Sequence, residues 1–397
     1  MPRIRIPVSP THTAAAIAAA LLLVILPTHQ AAAETGEPTP AAATETPFHD
    51  LIKECVEKHN LEAKGVEGWR KNRYESCSNK PMRLKLWKDP RKTKFLGELH
   101  FDLQLIGYSD NAARRVAHTA RAVNIVPKPA GGVSSAGWRI ALKFSRTIDL
   151  ANSNANPVME AAGGAANRTD TIAGWKASSD LLNVYTSTDT GAVIAGNPQI
   201  VRGTVHLALE VTAPGALPYI QVSEIQSSVR YDTQGPSAGK HRGTVFPGAR
   251  SELKLSLRDP EVNESARHIL DAQTLPDRTF PSEAGKTVPG GTTPLHRLID
   301  KDLQEANRDR AIKTCTDVWG DYKGSGLDCD EYPFSSSKEG AYAGCKLAGG
   351  QLTGCLNRYS SRLIDSGDNQ EAGKRLKTLY FADRILDGDA FHVTIVP

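Results

Sequence analysis

The run "ELHFDLQLIGY", Glu98 to Tyr108, alternates Leu99, Phe101, Leu103 and Leu105 with His100, Asp102 and Gln104. Successive side chains of a β-strand point to opposite faces, so a period of two places four large apolar groups on one side and polar groups on the other. The same period recurs in "WRIALKF" (Trp138, Ile140, Leu142, Phe144), "TVHLALEV" (Val205, Leu207, Leu209, Val211) and "ELKLSL" (Leu253, Leu255, Leu257). Loops of Gly, Pro, Asn and Ser separate these runs. The expectation for residues 48–280 is a β-rich, antiparallel, sandwich-like domain. Within it, "NAARRVAHTARAV" gathers Arg114, Arg115, His118 and Arg121 and reads as a solvated helix face.

Upstream of the strands, Leu51, Ile52 and Cys55 fall on one helical face, so a short helical cap is expected. Residues 34–47, "ETGEPTPAAATETP", lack apolar periodicity and read as a flexible leader. Residues 1–33 read as a signal peptide: Arg3 and Arg5 precede the apolar run Ala14 to Leu26, and small residues follow, with cleavage near Ala33. That run of 13 residues is short of the roughly 20 a membrane span needs, and no later segment approaches that length. The expectation is an exported protein, secreted to the extracellular side, with no membrane span.

Downstream, "PSEAGKTVPGGTTP" (281–294) combines Pro and Gly without apolar pattern and marks a linker. The chain then changes character, giving a two-domain expectation with a small α+β unit at 295–397. Leu295, Leu298, Ile299, Leu303 and Ala306 form a helical stripe, opposite Arg297, Lys301, Arg308 and Arg310. A second helix is expected from Asp368 as N-cap, with Asn369 at its first position, Glu371 as capping-box partner, and Ala372, Leu376, Leu379 and Tyr380 buried. "AFHVTIV" closes the chain as a strand.

The six cysteines fall in two even groups, Cys55 with Cys77 and then Cys315, Cys329, Cys345 and Cys355. In an exported protein this reads as one disulfide and two, with three connectivities open for the second group. Intervals of 13, 15 and 9 residues between the last four argue against zinc pairs. The formal net charge of +4 neither requires nor excludes an anionic partner. Residues 291–397 hold 14 Lys and Arg against 16 Asp and Glu, so any hold on a polyanion there must be local.

Chemistry-bearing groups concentrate in "GLDCDEYPFSSSKEGA" (326–341), where Asp328, Asp330 and Glu331 sit together, followed by Glu339 and later by Asp368 and Asn369. All are hard oxygen donors suited to Mg²⁺, Mn²⁺ or Ca²⁺. A carboxylate beside such a cation can take a proton from water. Ser335 to Ser337 read as turn formers, since no histidine base lies near them in sequence. "LDGDAF" (386–391) lacks calcium-loop spacing and reads as a hairpin turn.

The stretch "CTDVWGDYKGSGLDCDEYPFSSSKEG" followed by "SGDNQEAG" closely resembles the deoxyribonuclease NucA/NucB family, over about residues 295–397. The resemblance implies a secreted, sequence-nonspecific DNA endonuclease with a minimal ββα-metal core and a divalent metal, Mg²⁺ or Mn²⁺. By position it implies Asp330 as general base and Asn369 as metal ligand. Glu331 and Glu339 follow as catalytic candidates that orient the base or hold water, and Arg308 and Arg310 as contacts to flanking phosphates. The alternative class is an exported binding protein with a non-catalytic nuclease-like domain, and any protein inhibitor is unknown.

Overall fold

The computed structural model describes residues 45–189, 197–234, 242–348 and 351–397. The expected signal peptide and all but the last three residues of the expected leader lie outside them. Helix α1 (Glu45–Lys58) opens the described chain, followed by α2 (Asn60–Ala63). Cys55 of α1 is bonded to Cys77, and Leu51 packs with them in a small satellite core.

Strands β1 (Trp69–Arg70), β2 (Glu75–Trp87), β3 (Phe95–Ser109) and β4 (Arg115–Pro129) come next. They are followed by β5 (Arg139–Asp149), β6 (Glu160–Gly164), β7 (Asn167–Thr171), helix α3 (Ile172–Ala177) and β8 (Asp180–Thr186). The series ends with β9 (Val201–Thr212), β10 (Tyr219–Thr233) and β11 (Arg242–Val245). Two sheets result, ordered β1-β2-β3-β4-β8-β6 and β11-β10-β9-β5-β7, and every pairing in them is antiparallel. Leu99, Phe101 and Leu103 from one sheet and Ile140, Leu142, Leu207 and Leu209 from the other share one core. Truncating one such leucine to alanine costs about 2–5 kcal/mol, because the surrounding side chains collapse only partly into the void.

The basic stretch at 111–123 is no helix: residues 111–114 bend and strand β4 takes over from Arg115. Val116, His118, Ala120 and Ala122 of β4 are all buried, and that inward period of two overrides the apparent cationic helix face. Its arginines are tied down: Arg121 pairs with Asp180, and Arg114 donates to the Gln199 carbonyl.

A second core draws on β12 (Glu252–Ser256), α4 (Asn263–Thr274) and β13 (Leu295–His296), while Ala311 of α5 (Lys301–Trp319) packs separately with Ala341 and Tyr359, and further elements follow. These are β14 (Leu327–Tyr332), the short pair β15 (Lys346–Ala348) and β16 (Gln351–Thr353), β17 (Ser360–Asp365), α6 (Ser366–Ala382) and β18 (Ala390–Val396). The "ELKLSL" strand leaves the antiparallel sheets. As β12 it pairs in parallel with β18, Leu253 opposite Val393 and Leu255 opposite Ile395. Residues 281–294 pack into this core: Lys286 donates to the carbonyls of Thr279, Pro281 and Tyr359, and Val393 N–H donates to Gly290 O. At Gly290, with φ 125°, a Cβ would lie 1.7 Å from the Tyr332 hydroxyl, so only glycine fits.

Helix starts differ from the sequence reading. The α5 helix is capped by Asp300, and its buried stripe is Asn307, Ala311 and Cys315, while Leu303 is exposed. The α6 helix is capped by Asp365, not Asp368, so Asn369 falls one turn in. Asp368 is buried and caps a different helix, accepting from Glu264 N–H, Ser265 N–H and Ser265 O–H at the start of α4. Val262, at the N-cap of α4, has no side chain able to do this.

The two cores meet at the turn between α6 and β18. Asp389 accepts from Arg73 and from Arg230, and Arg384 pairs with Asp232. Arg73 also donates to Asp383 O, and Tyr74 O–H to Ala382 O.

Candidate active site

The β14 strand is stapled from behind. Cys329 is bonded to Cys315 of α5, closing a 14-residue interval, a constraint of about 3 kcal/mol in chain-entropy terms. Cys345 is bonded to Cys355, which resolves the connectivity left open by the spacing. Tyr332 is fully buried, with its hydroxyl accepting from Gln273 of α4, and its ring packs edge-on against Phe334. With Cys329 and Tyr332 held, the intervening Asp330 and Glu331 have fixed backbone positions. The β14 strand pairs antiparallel with β17, Asp330 opposite Arg362, and the chain passes from β17 directly into α6.

Strand β14 and helices α5 and α6 wall a cleft of about 670 Å³ lined by Asp328, Asp330, Glu331, Arg308, Lys301, Asn369 and Lys377, with Phe334, Leu376 and Tyr380 as apolar surface. Four of the expected site residues therefore come together: Asp330, Glu331, Asn369 and Arg308. Two do not. Glu339 lies outside the cleft lining and accepts from both the backbone N–H and the Nδ1 of His296, at 2.8 and 2.7 Å. Arg310 is on another face of α5, where it donates to Ala341 O and Asn357 Oδ1 and lies over the Tyr359 ring. The cause is the helical repeat: positions 308 and 310 are separated by about 200° around an α-helix, so both cannot face one cleft. The serines act as turn formers here, Ser337 donating to Phe334 O and Ser336 hydrogen-bonded to Tyr380.

The Glu331 carboxyl is pushed up to about 7, first by burial and then by the Asp330 carboxylate beside it. Arg308 and hydrogen bonds from Ser335 pull the other way. Two adjacent carboxyls with one of them raised form a pair able to exchange a proton near neutral pH. Asp330 itself is buried, and its Oδ2 lies 2.6 Å from Nδ1 of His268 on α4. His268 is wholly buried, with Nε2 2.7 Å from the Ser360 hydroxyl. Sequence reading missed this histidine. It stands 62 residues before Asp330, beyond the expected linker, among apolar positions that mark only a core-facing helix.

Among the described residues, no group of three or more His, Cys, Asp and Glu side chains forms a cage for a metal ion. What lines the cleft is a small set of oxygen donors, the carboxyls of Asp328, Asp330 and Glu331 and the Asn369 amide. That set fits a hard cation such as Mg²⁺, which keeps several waters and takes only one or two protein carboxylates. It does not fit a thiophilic ion.

Residues 292–394 match the family model described as deoxyribonuclease NucA/NucB. The C-terminal α+β region therefore carries a domain of that nuclease family, and every cleft residue named above falls inside the matched stretch. Neither the curated proteins nor the solved structures compared with the chain gave a match. Among the described residues no helix is long and apolar enough to cross a membrane.

Proposed function

We propose that this protein is a secreted, metal-dependent, sequence-nonspecific DNA endonuclease. The observation that carries the reading is the shared cleft of Asp330, Glu331, Asn369 and Arg308 within a stretch matching a deoxyribonuclease family. Asp330 is the general base: it takes the proton of a water that attacks the scissile phosphorus, as the bond from phosphorus to the leaving sugar oxygen breaks. Asn369 and Glu331 would hold a divalent cation, Mg²⁺ or Mn²⁺, which when bound supplies charge neutralisation at the phosphate and leaving oxygens. Arg308, Lys301 and Lys377 are exposed on the cleft and suit contacts to flanking phosphates, which carry no sequence information.

In this reading β14, β17 and α6 form a minimal ββα-metal core, and the β-rich body expected over 48–280 ends at β11, because β12 and α4 pack with the nuclease unit. Secretion is supported by the leader pattern of Arg3, Arg5 and the apolar run, and by three disulfides, which persist in oxidising compartments.

The test is plasmid nicking by the full chain with Mg²⁺ or Mn²⁺, with and without EDTA. Cleavage that EDTA abolishes and D330A removes is expected. Intact plasmid with every divalent cation tried would refute the proposal.

A further inference from the structure

From the contact between α4 and β14 we infer that His268 is a positioning residue for Asp330, supplied by a segment outside the stretch that matches the nuclease family. The inference rests on the reading of Asp330 as the proton acceptor. An ionised carboxylate can only accept hydrogen bonds, so the 2.6 Å contact at Oδ2 requires a hydrogen on Nδ1 of His268. The other ring nitrogen faces the Ser360 hydroxyl at 2.7 Å, and Ser360 lies on β17, directly opposite Tyr332 in the β14 register. The imidazole is thus gripped at both ends and cannot rotate without losing a buried hydrogen bond.

Asp330 in turn has one oxygen occupied. Among the described residues no hydrogen bond engages its Oδ1, and the residue lines the cleft. The division leaves one oxygen to fix the carboxylate plane and one for water or a cation. A carboxylate anchored through a single oxygen keeps its reactive oxygen in place without spending it, which is the task of the outer partner in many hydrolytic sites.

The helix that delivers His268 is itself held from the nuclease side. Asp368 caps its first turn, and Asp271, one turn beyond His268, pairs with Arg362 at 2.7 Å. Arg362 is the residue opposite Asp330 across the β14–β17 pair, so α4 touches both strands at the level of the base. The assembly for catalysis therefore begins upstream of residue 292, at α4.

Steady-state plasmid or oligonucleotide cleavage with Mg²⁺, using full-length protein, tests this with H268A, H268N and S360A beside wild type. Each rate is normalised to folded protein measured by circular dichroism. For H268A, kcat is expected to fall roughly 10–100-fold with KM within about twofold. H268N, whose amide can still donate to Asp330, should recover a substantial part of kcat, and S360A should lose less than H268A. If wild type cleaves and H268A keeps its kcat per folded molecule, or H268N is no better than H268A, the role of His268 is overturned while the nuclease reading stands. If H268A does not fold, H268N and S360A decide: kcat unchanged in both overturns the role. Wild-type protein that does not cleave overturns the nuclease reading, and with it the role.

Discussion

Asp330 is a buried carboxylate of the C-terminal region and Asp389 a half-buried one, and their surroundings differ in kind. Asp389 sits between two guanidinium groups, Arg73 and Arg230, and also accepts from Leu386 N–H. Burial pushes its carboxyl up, but Arg230 and Arg73 outweigh this and hold it below the usual range. Asp330 has one neutral-capable partner, His268, a second carboxyl as neighbour, and an oxygen left over on a cleft. A saturated carboxylate locks structure. One with spare valence, beside another acid, is equipped for chemistry.

The largest expected effect that would break this contrast is at Asp330. D330N should lower cleavage by roughly 10²–10⁴-fold, the usual worth of a general base, while the thermal midpoint stays within a few degrees of wild type. A variant that retains activity and loses stability would place Asp330 with Asp389. D389N should do the reverse, costing about 3–5 kcal/mol because Arg73 and Arg230 lose a shared counter-charge in a buried setting. Urea unfolding measures that cost, and activity per folded molecule should persist.

A smaller effect separates the two arginines of α5. R308A should weaken DNA binding and reduce the slope of log affinity against log salt by about one, as expected for loss of one phosphate contact. R310A should leave that slope unchanged, since its guanidinium is engaged with Ala341, Asn357 and Tyr359. Equal slopes for both variants would remove Arg308 from the DNA face.

The smallest effect concerns Glu331 in EDTA, without cation. Its carboxyl rises from 4.5 to about 7 on folding, so the folded state binds more protons than the unfolded state between those values. Wild-type stability therefore falls as pH rises through that window, whereas E331Q carries no such penalty. The two proteins should melt alike below pH 4.5, with E331Q ahead by about 1 kcal/mol or more at pH 8. A gap that does not change with pH would show that burial does not raise this carboxyl.

Legibility in the sequence followed the range of the interaction. Period-two runs such as Val205 to Val211 disclosed the antiparallel sheets, because alternation is a property of the strand itself. "CDEYPF" and the later Asn369 were legible as site candidates through the family resemblance, and the fold brings Asp330, Glu331 and Asn369 to one cleft. The reading of 111–123 as a helix failed because arginines masked Val116, His118, Ala120 and Ala122 facing inward. Asp368 was misread because a capping side chain looks the same whether it serves its own helix or another one packed beside it.

By itself the sequence determined that the chain is rich in half-buried strands, that its cysteines fall into even groups, and that one acidic stretch carries the candidate chemistry. Each is settled by neighbours within a few residues, where side-chain periodicity and spacing govern. Tertiary structure alone decided that "ELKLSL" joins β18 in parallel, that Glu339 and Arg310 lie away from the cleft, and that His268 meets Asp330 across 62 residues. Such pairings depend on which surfaces pack once the chain collapses, and the energy that selects them lies in contacts that no local pattern encodes.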